Sequence, residues 1–315
     1  MDSLLSRRKF VGMSLASGAT VLAGSLFGAT SPSDPTVATN ASFKLGGDLE
    51  VNRLGFGAMR ITGEGVWGWP PDRENALKVL KRAVELGVNL IDTADAYGPE
   101  TSELLIAEAL YPYPKGLVIA TKGGLTRPGP GQWVPNGKPD YLKACVDKSL
   151  KRLRLERIDL YQLHRIDSKV PMEDSLGALK EMQAAGKIRH VGLSEVSPQE
   201  IDRARKVLPI VSVQNRYNIE DRKWDKTVDY CAKENLGFLP WFPVGGGRGL
   251  GSGSALESVA KAHNATVYQV ALAWLLQRSP VMLPIPGTSN LAHLEQNVAA
   301  AKLKLTTDEW KTLAA

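Results

Sequence analysis

The stretch from Asp72 to Ala94, DRENALKVLKRAVELGVNLIDTA, contains one complete helix-to-strand unit. Its apolar residues first recur every three to four positions, which predicts an amphipathic helix over 72–86. Asp72 is a typical helix-capping residue, and Gly87 ends the helical pattern. The apolar run that follows, 89–94, has the length of a buried strand. Together these features predict a helix that packs against a largely buried sheet.

Seven further apolar runs and seven further helical stretches repeat this unit along the chain. The predicted strands are 54–59, 89–94, 117–122, 158–164, 188–194, 210–215, 237–242 and 281–286. The predicted helices are 72–86, 100–111, 139–154, 173–185, 198–207, 222–235, 254–278 and 291–302. Eight such units predict an α/β fold, a single (β/α)8 TIM barrel, preceded by an N-terminal hairpin at 43–51. A doubly wound open sheet is the alternative, but no G-x-G-x-x-G follows the first strand.

Composition and charge exclude several classes of protein. The 315 residues are 43% hydrophobic and 23% charged, which excludes disordered, collagen-like and polytopic membrane chains. The formal net charge of +6 is spread over the whole chain and does not predict nucleic-acid binding. Cys145 and Cys231 stand apart from any Cys/His cluster, so we expect neither a disulfide nor a metal site, and both thiols should be buried and inert.

The amino-terminal segment has the layout of an export signal. Ser6-Arg7-Arg8-Lys9-Phe10 precedes an uncharged stretch over 11–30 and is similar to the twin-arginine signal that export machinery reads. We expect 1–38 to be the signal and the start of a tether, 39–315 to be the barrel, and the mature protein to be periplasmic or otherwise extracytoplasmic. A single membrane anchor is one alternative, weakened by many Gly, Ser and Thr residues, and a cytoplasmic location is another.

Ionisable side chains follow three consecutive predicted strands. Asp92, Lys122 and His164 lie at the ends of the second, third and fourth strands, and Tyr97 follows Asp92 by five residues. In a barrel these ends form one rim, where active sites are built. Each residue alone is more often structural, for example as a helix cap or a solvated strand end. Four on one rim, however, predict a site that handles protons.

From about Phe43 to Lys302, the sequence resembles the aldo-keto reductase family. The resemblance implies transfer of a hydride from NADPH to an aldehyde or ketone. It also implies that Tyr97 is the general acid, that Lys122 and Asp92 are its charge partners, and that His164 orients the substrate carbonyl. The matching motifs are Gly55-Phe56-Gly57, Ile91-Asp92-Thr93-Ala94-Asp95-Ala96-Tyr97-Gly98, Ala120-Thr121-Lys122, Tyr161-Gln162-Leu163-His164-Arg165, Gly192-Leu193-Ser194, Val213-Gln214-Asn215 and Pro284-Ile285-Pro286-Gly287-Thr288-Ser289.

The physical chemistry of these residue types agrees with those roles. A phenol with a pKa of about 10 is a poor proton donor near pH 7 unless a cation lowers that value, and Lys122 supplies a cation. A nearby carboxylate such as Asp92 keeps a buried ammonium charged. His164 can donate a hydrogen bond to a carbonyl oxygen that gains negative charge in the transition state.

The resemblance also implies a nicotinamide site after the fifth, sixth and seventh strands. Ser194 and Gln214 match the family residues that hold the carboxamide. Glu195 replaces the usual asparagine, and its ionised form can accept from the amide but cannot donate to its carbonyl. Trp241 replaces the usual tyrosine that stacks on the ring, although a tryptophan here can also serve as core filler.

The phosphate end of the predicted nucleotide site is less typical of the family. The glycine-rich stretch 245–254 permits close approach to a pyrophosphate, with Gly245 as a backbone contact and Arg248 as a charged one. NADPH is the family default, but positions 287–297 contain neither Lys nor Arg to meet a 2′-phosphate, so NADH is the alternative. The residues expected to contact the nucleotide after the eighth strand are Gly287, Thr288, Ser289, His293, Gln296 and Asn297.

Loops above the rim contribute large apolar side chains. Met59, Trp67 and Trp133 are expected to wall a pocket for a small carbonyl substrate, or else to seal the barrel top. Arg165 and Asp167 are expected to form a local ion pair, since neighbouring opposite charges on loops usually do. The alternative function for the same barrel is that of a nucleotide-binding regulatory or sensor module with little turnover.

Overall fold

The computed structural model describes residues 42–245, 250 and 255–314. The predicted export signal and Arg248 therefore lie outside the described residues. Within these ranges, no helix combines the length and the apolar character that a membrane span requires.

The described elements alternate as the sequence predicts. The strands are β1 (Ser42–Leu45), β2 (Leu49–Asn52), β3 (Phe56–Gly57), β4 (Leu90–Asp92), β5 (Val118–Gly123), β6 (Leu125–Thr126), β7 (Val134–Pro135), β8 (Ile158–Leu163), β9 (Ile188–Ser194), β10 (Ile210–Gln214) and β11 (Gly237–Phe238). The helices are α1 (Arg73–Glu85), α2 (Thr101–Leu110), α3 (Pro139–Leu153), α4 (Met172–Ala184), α5 (Pro198–Arg205), α6 (Asp225–Lys233), α7 (Ala255–Ala262), α8 (Val267–Arg278), α9 (Leu291–Ala299) and α10 (Thr307–Ala314). Short 3₁₀ helices occupy Ala58–Ile61, Glu64–Val66 and Ala300–Lys302.

The sheet is parallel and closes on itself through the segment 281–286. Its strands follow the order β3, β4, β5, β8, β9, β10 and β11. Met282 bridges to Phe238 of β11, while the carbonyl of Pro284 accepts from the Gly55 N–H of the first strand at 2.9 Å. Prolines in the closing segment lack an N–H, so it pairs mainly through its carbonyls rather than as a regular strand. The predicted (β/α)8 barrel is confirmed.

The predicted hairpin is present as the antiparallel pair of β1 and β2, with Phe43 opposite Val51. Gly46 and Gly47 form its turn with φ of +62° and +86°, a left-handed backbone that glycine adopts without strain. A Cβ on Gly237, at the start of β11, would lie only 2.5 Å from Leu45. The hairpin therefore covers the barrel at the amino ends of the strands, and the carboxyl ends stay available for a site.

Two predicted elements differ from the observed ones. The helix expected over 254–278 is two helices, α7 and α8, because Asn264 turns the chain with φ of +48° and Thr266 starts a new helix with a capping box to Gln269. The first strand, expected over 54–59, ends at Gly57, and a 3₁₀ turn then carries Met59 to the top of the barrel. The pairing of β6 with β7 and helix α10 were not predicted.

Candidate active site

The four predicted rim residues come together at the carboxyl ends of β4, β5 and β8. Lys122 Nζ lies 2.6 Å from Asp92 Oδ1 and 3.3 Å from Tyr97 Oη. His164 follows β8, and its ring meets that of Tyr97 edge to face at a centroid distance of 5.8 Å. The side chains of Lys122 and Asp92 are 0% and 2% exposed, so their charges interact in a largely water-free environment.

Lys122 is held as a cation by its surroundings. Its third hydrogen-bond acceptor is the carbonyl of Thr93, at 2.8 Å, so the ammonium has a partner for each of its three hydrogens. Burial acts to lower the pKa of Lys122, but the charge of Asp92 and the hydrogen bond to it outweigh burial and raise the pKa above its ordinary value. The ammonium therefore stays charged throughout the physiological pH range.

Asp92 is also fixed from its other side. Its Oδ2 accepts from Gln214 Nε2 at 2.8 Å and from Gln162 Nε2 at 3.2 Å. Gln214 thus connects the predicted cofactor wall directly to the ion pair. Gln162 was missed as a site residue, although the strand period of two places it on the same inward face as His164.

Tyr97 keeps its proton in this structure. Burial raises the pKa of Tyr97 above 10, and the nearby Lys122 acts in the opposite direction without reversing the shift. The expectation that Lys122 brings this pKa below its ordinary value is therefore not met without a bound ligand. The phenol remains a hydrogen-bond donor, and Lys122 makes the loss of its proton less costly.

His164 is a neutral imidazole. Burial, followed by the charges of Lys122, Arg165 and Arg127, holds its pKa well below 6.5. A neutral ring carries one N–H, and its Nδ1 makes no hydrogen bond to any described group. Tyr97 and His164 together form two uncharged donors that face one cavity.

The cavity above these residues has a volume of about 1190 Å³. It brings together most of the residues predicted for the cofactor and the substrate. Glu195, Gly245 and Trp67 do not line it, and Lys122 lies beneath its floor. The predicted residues that line it are Met59, Asp92, Tyr97, Trp133, His164, Ser194, Gln214, Trp241, Gly287, Thr288, Ser289, His293, Gln296 and Asn297.

The carboxylate of Glu195 is turned toward Trp241. Glu195 Oε1 accepts from the indole Nε1 of Trp241 at 2.7 Å and from the backbone N–H of Arg216 at 2.6 Å. Glu195 has φ of +57°, a conformation that asparagine adopts more readily than glutamate, which accounts for the asparagine usual at this position. In this structure Glu195 supports the aromatic wall of the cavity rather than lining it.

The ion pair predicted between Arg165 and Asp167 is wrong. Asp167 accepts hydrogen bonds from the backbone N–H groups of Gly137 and Lys169, at 3.0 and 2.9 Å. Arg165 instead lines the cavity and donates from Nη1 to Ser194 Oγ at 2.8 Å. A cation therefore stands beside the hydroxyl expected to hold a carboxamide. Its position next to His164 was the available signal.

The far end of the cavity contains a cation that was not predicted. Arg60, on the 3₁₀ turn after β3, lines the cavity, and a Cβ on Gly287 would lie 3.7 Å from its Cγ. Arg60 is exposed at the cavity mouth. The family resemblance points only to the loop after the eighth strand for such a cation, but barrel closure places the loop after the first strand beside it.

These groups fit a nicotinamide dinucleotide. The hydroxyl of Ser194, the amide oxygen of Gln214 and the face of Trp241 share one wall, near Tyr97 and His164. The start of α9, where the Asn290 side chain accepts from the His293 N–H, provides a positive helix end for phosphate at the other side. The cavity is also large enough for both the dinucleotide and a small substrate.

Most of this chain matches the sequence model of a known protein family. The model of the aldo/keto reductase family matches residues 53–315. The chain belongs to the aldo/keto reductase family. Members of this family are NAD(P)H-dependent carbonyl oxidoreductases, and this protein is such an enzyme.

Individual aldo/keto reductases and related enzymes match over nearly the whole barrel. An uncharacterized oxidoreductase of Schizosaccharomyces pombe is 50% identical over 284 residues, covering 90% of this chain and 92% of that protein. The pyridoxine 4-dehydrogenase of Escherichia coli is 46% identical over 273 residues, covering 85% of this chain and 95% of that enzyme. The holo form of an aldo-keto reductase from Bacillus halodurans superposes with a TM-score of 0.74 at 28% identity, covering 87% and 97% of the two chains.

Proposed function

We propose that this enzyme reduces a planar heteroaromatic aldehyde of the pyridoxal type to the corresponding alcohol, with NADPH as the reductant. The observation that carries the catalytic part is the group of Tyr97, His164, Lys122 and Asp92 at the floor of the cavity. The relative named pyridoxine 4-dehydrogenase supports the choice of substrate. Trp133 on the cavity wall offers an indole surface to an aromatic ring of the substrate.

In the proposed reaction, two hydrogen-bond donors bind the carbonyl oxygen of the substrate. Tyr97 Oη and the N–H of His164 donate hydrogen bonds to it, so the negative charge that develops there meets preorganised donors. A reduced nicotinamide, when bound, supplies the hydride to the carbonyl carbon. Tyr97 then transfers its proton to the oxygen, which completes the alcohol, and Lys122 stabilises the phenolate until solvent returns a proton.

The proposed nucleotide contacts use both ends of the cavity. Ser194 and Gln214 hold the carboxamide, and Trp241 stacks on the ring with its indole fixed by Glu195. Arg60 and His293 line the end of the cavity where Gly287 lies, so they are the groups we assign to the phosphates. An arginine offers a fork that matches phosphate geometry, which favours NADPH over NADH.

Steady-state kinetics test this function. We expect kcat/KM for pyridoxal to exceed that for butanal by at least about tenfold, because only the ring can stack on the indole faces. We also expect a higher kcat/KM with NADPH than with NADH. Equal values for the two aldehydes contradict the proposed substrate class, and a preference for NADH contradicts the proposed cofactor.

We also propose that residues 1–38 direct this enzyme out of the cytoplasm. The paired Arg7 and Arg8 before Lys9-Phe10 and an uncharged stretch support this proposal. Expression of the full chain in a bacterium, followed by fractionation, should give a shortened protein outside the cytoplasm. The double variant Arg7→Lys/Arg8→Lys should stay inside at full length. A full-length, cytoplasmic wild type contradicts export.

A further inference from the structure

Trp133 lines the cavity beside the two proposed carbonyl donors, Tyr97 and His164. Its ring lies edge to face with Tyr97 at a centroid distance of 6.2 Å and with His164 at 6.4 Å. It sits on the loop between β6 and β7 and is 36% exposed. A residue on such a loop needs a specific support if it is to keep one orientation toward the reacting atoms.

Arg127 provides that support from behind. Its guanidinium carbon lies 3.5 Å from the centroid of the Trp133 ring, and it lies 5.5 Å from that of Trp67 on the opposite loop. Trp133 lines the cavity and Arg127 does not. The guanidinium therefore covers one face of the Trp133 ring, and the indole still lines the cavity, where the ring of a ligand can contact it.

The same guanidinium ties three loops together through backbone carbonyls. Arg127 Nε donates to Gln132 at 2.8 Å, Nη1 to Ala96 at 2.6 Å and Nη2 to Gly65 at 3.2 Å. Gln132 precedes Trp133, and Ala96 precedes Tyr97. One planar group thus fixes the loop of Trp133 against its neighbours, whereas the hydroxyl of Tyr97 has a support of its own in Lys122. A lysine carries the charge but cannot form this three-way fork.

We propose that Arg127 is a positioning residue that holds Trp133 as a stacking wall and thereby gives this enzyme its preference for planar aldehydes. The inference rests on the proposed function, since it concerns substrate choice at the same site. Stacking on a fixed indole strengthens binding of a flat ring, whereas a flexible aliphatic aldehyde gains little from it. Arg127 should therefore act on KM for ring substrates more than on kcat.

The test compares Arg127→Ala and Arg127→Lys with a matched control, Arg73→Ala. Arg73 also stacks on a tryptophan, with its guanidinium carbon 4.6 Å from the Trp69 ring centroid, but neither residue lines the cavity. We expect Arg127→Ala to raise KM for pyridoxal and for benzaldehyde about tenfold, with kcat changed less than about threefold. Arg127→Lys should behave like the alanine variant, and Arg73→Ala like the wild type.

A double-mutant cycle with Trp133→Ala separates positioning from general damage. If Arg127 acts through the indole, its removal should raise KM for pyridoxal no further once Trp133 is alanine. Additive effects overturn the inference. It is also overturned if Arg127→Lys restores wild-type KM, because charge alone would then suffice, or if Arg127→Ala lowers kcat equally for butanal and for the ring substrates.

The two proposals fail in different ways. If wild-type enzyme reduces benzaldehyde but not pyridoxal, the proposed substrate is wrong. KM and kcat of the Arg127 variants for benzaldehyde then still test the role of Arg127. If wild-type enzyme reduces pyridoxal and the variants keep its KM, the proposed function stands and the role of Arg127 is wrong. Near-UV circular dichroism of each variant, which reports packed aromatic rings, identifies any variant that has lost its fold.

Discussion

The floor of the cavity and its proposed nucleotide end, which is lined by Arg60, Gly287 and His293, are built in different ways. On the floor, Lys122 and Asp92 stand on neighbouring strands and bond to each other at 2.6 Å, beneath Tyr97. At the proposed nucleotide end, the side chains of Thr288 and Asn290 accept from N–H groups two and three residues ahead, on the same loop and in the first turn of α9. Long-range bonds between buried charges make the floor intolerant of change, whereas local loop bonds leave the nucleotide end free to vary.

Replacing the general acid should have the largest effect. Tyr97→Phe removes the hydroxyl and leaves the ring, so we expect kcat for pyridoxal to fall about 10³-fold, within the range of general acid catalysis. The dissociation constant for NADPH, measured by fluorescence titration, should change less than about twofold. Turnover close to that of the wild type would remove Tyr97 from the mechanism.

Breaking the buried ion pair should damage both stability and activity. Lys122→Met leaves the Asp92 carboxylate buried without its cation, and such losses typically cost about 3–5 kcal/mol. Denaturant unfolding measures this change in the free energy of unfolding. The double variant Asp92→Asn/Lys122→Met should be more stable than Lys122→Met alone, because it buries no charge. A single variant as stable as the wild type contradicts the account of the floor.

Variants of Glu195 test the aromatic wall of the cavity, which Trp241 forms and Glu195 supports. Glu195→Ala leaves the Trp241 indole N–H without its acceptor, so we expect KM for NADPH to rise about tenfold with little change in kcat. Glu195→Gln keeps an acceptor oxygen and serves as the control, with a smaller rise. If Glu195→Ala lowers kcat and leaves KM for NADPH unchanged, Glu195 does not act through the nicotinamide wall.

The nucleotide end should give the smallest effects. Arg60→Ala removes an exposed cation, so we expect about a fivefold loss in kcat/KM with NADPH, and the loss should shrink as salt is added. His293→Arg adds a cation and should shift the preference further toward NADPH. Unchanged nucleotide preference in both variants would show that neither residue meets the 2′-phosphate.

The same contrast explains what the sequence could and could not predict. Asp92, Lys122 and His164 were predicted because strand ends in a barrel share a rim, a rule that depends on local pattern alone. The helix expected over 254–278 was wrong because its two halves are both apolar, and periodicity alone did not mark the turn at Asn264.

Contacts between loops that follow different strands were beyond prediction, unlike the pair of Asp92 and Lys122, whose strand ends share one rim. Glu195 and Trp241 are 46 residues apart, and Arg127 and Ala96 are 31 apart. The family resemblance assigned Glu195 to the nicotinamide by its position after Ser194, but only the fold shows that the Trp241 indole donates to its carboxylate. Arg60 was overlooked for the same reason, because barrel closure brings the first and last loops together.

Isotope labelling can show whether the hydride passes from NADPH to the aldehyde carbon. Wild-type enzyme is incubated with pyridoxal and NADPH deuterated at both nicotinamide C4 positions, and the product is analysed by mass spectrometry. We expect pyridoxine with one deuterium on the new alcohol carbon, formed in step with the oxidation of NADPH. NADPH that stays reduced, with pyridoxal unchanged, would contradict the proposed reaction.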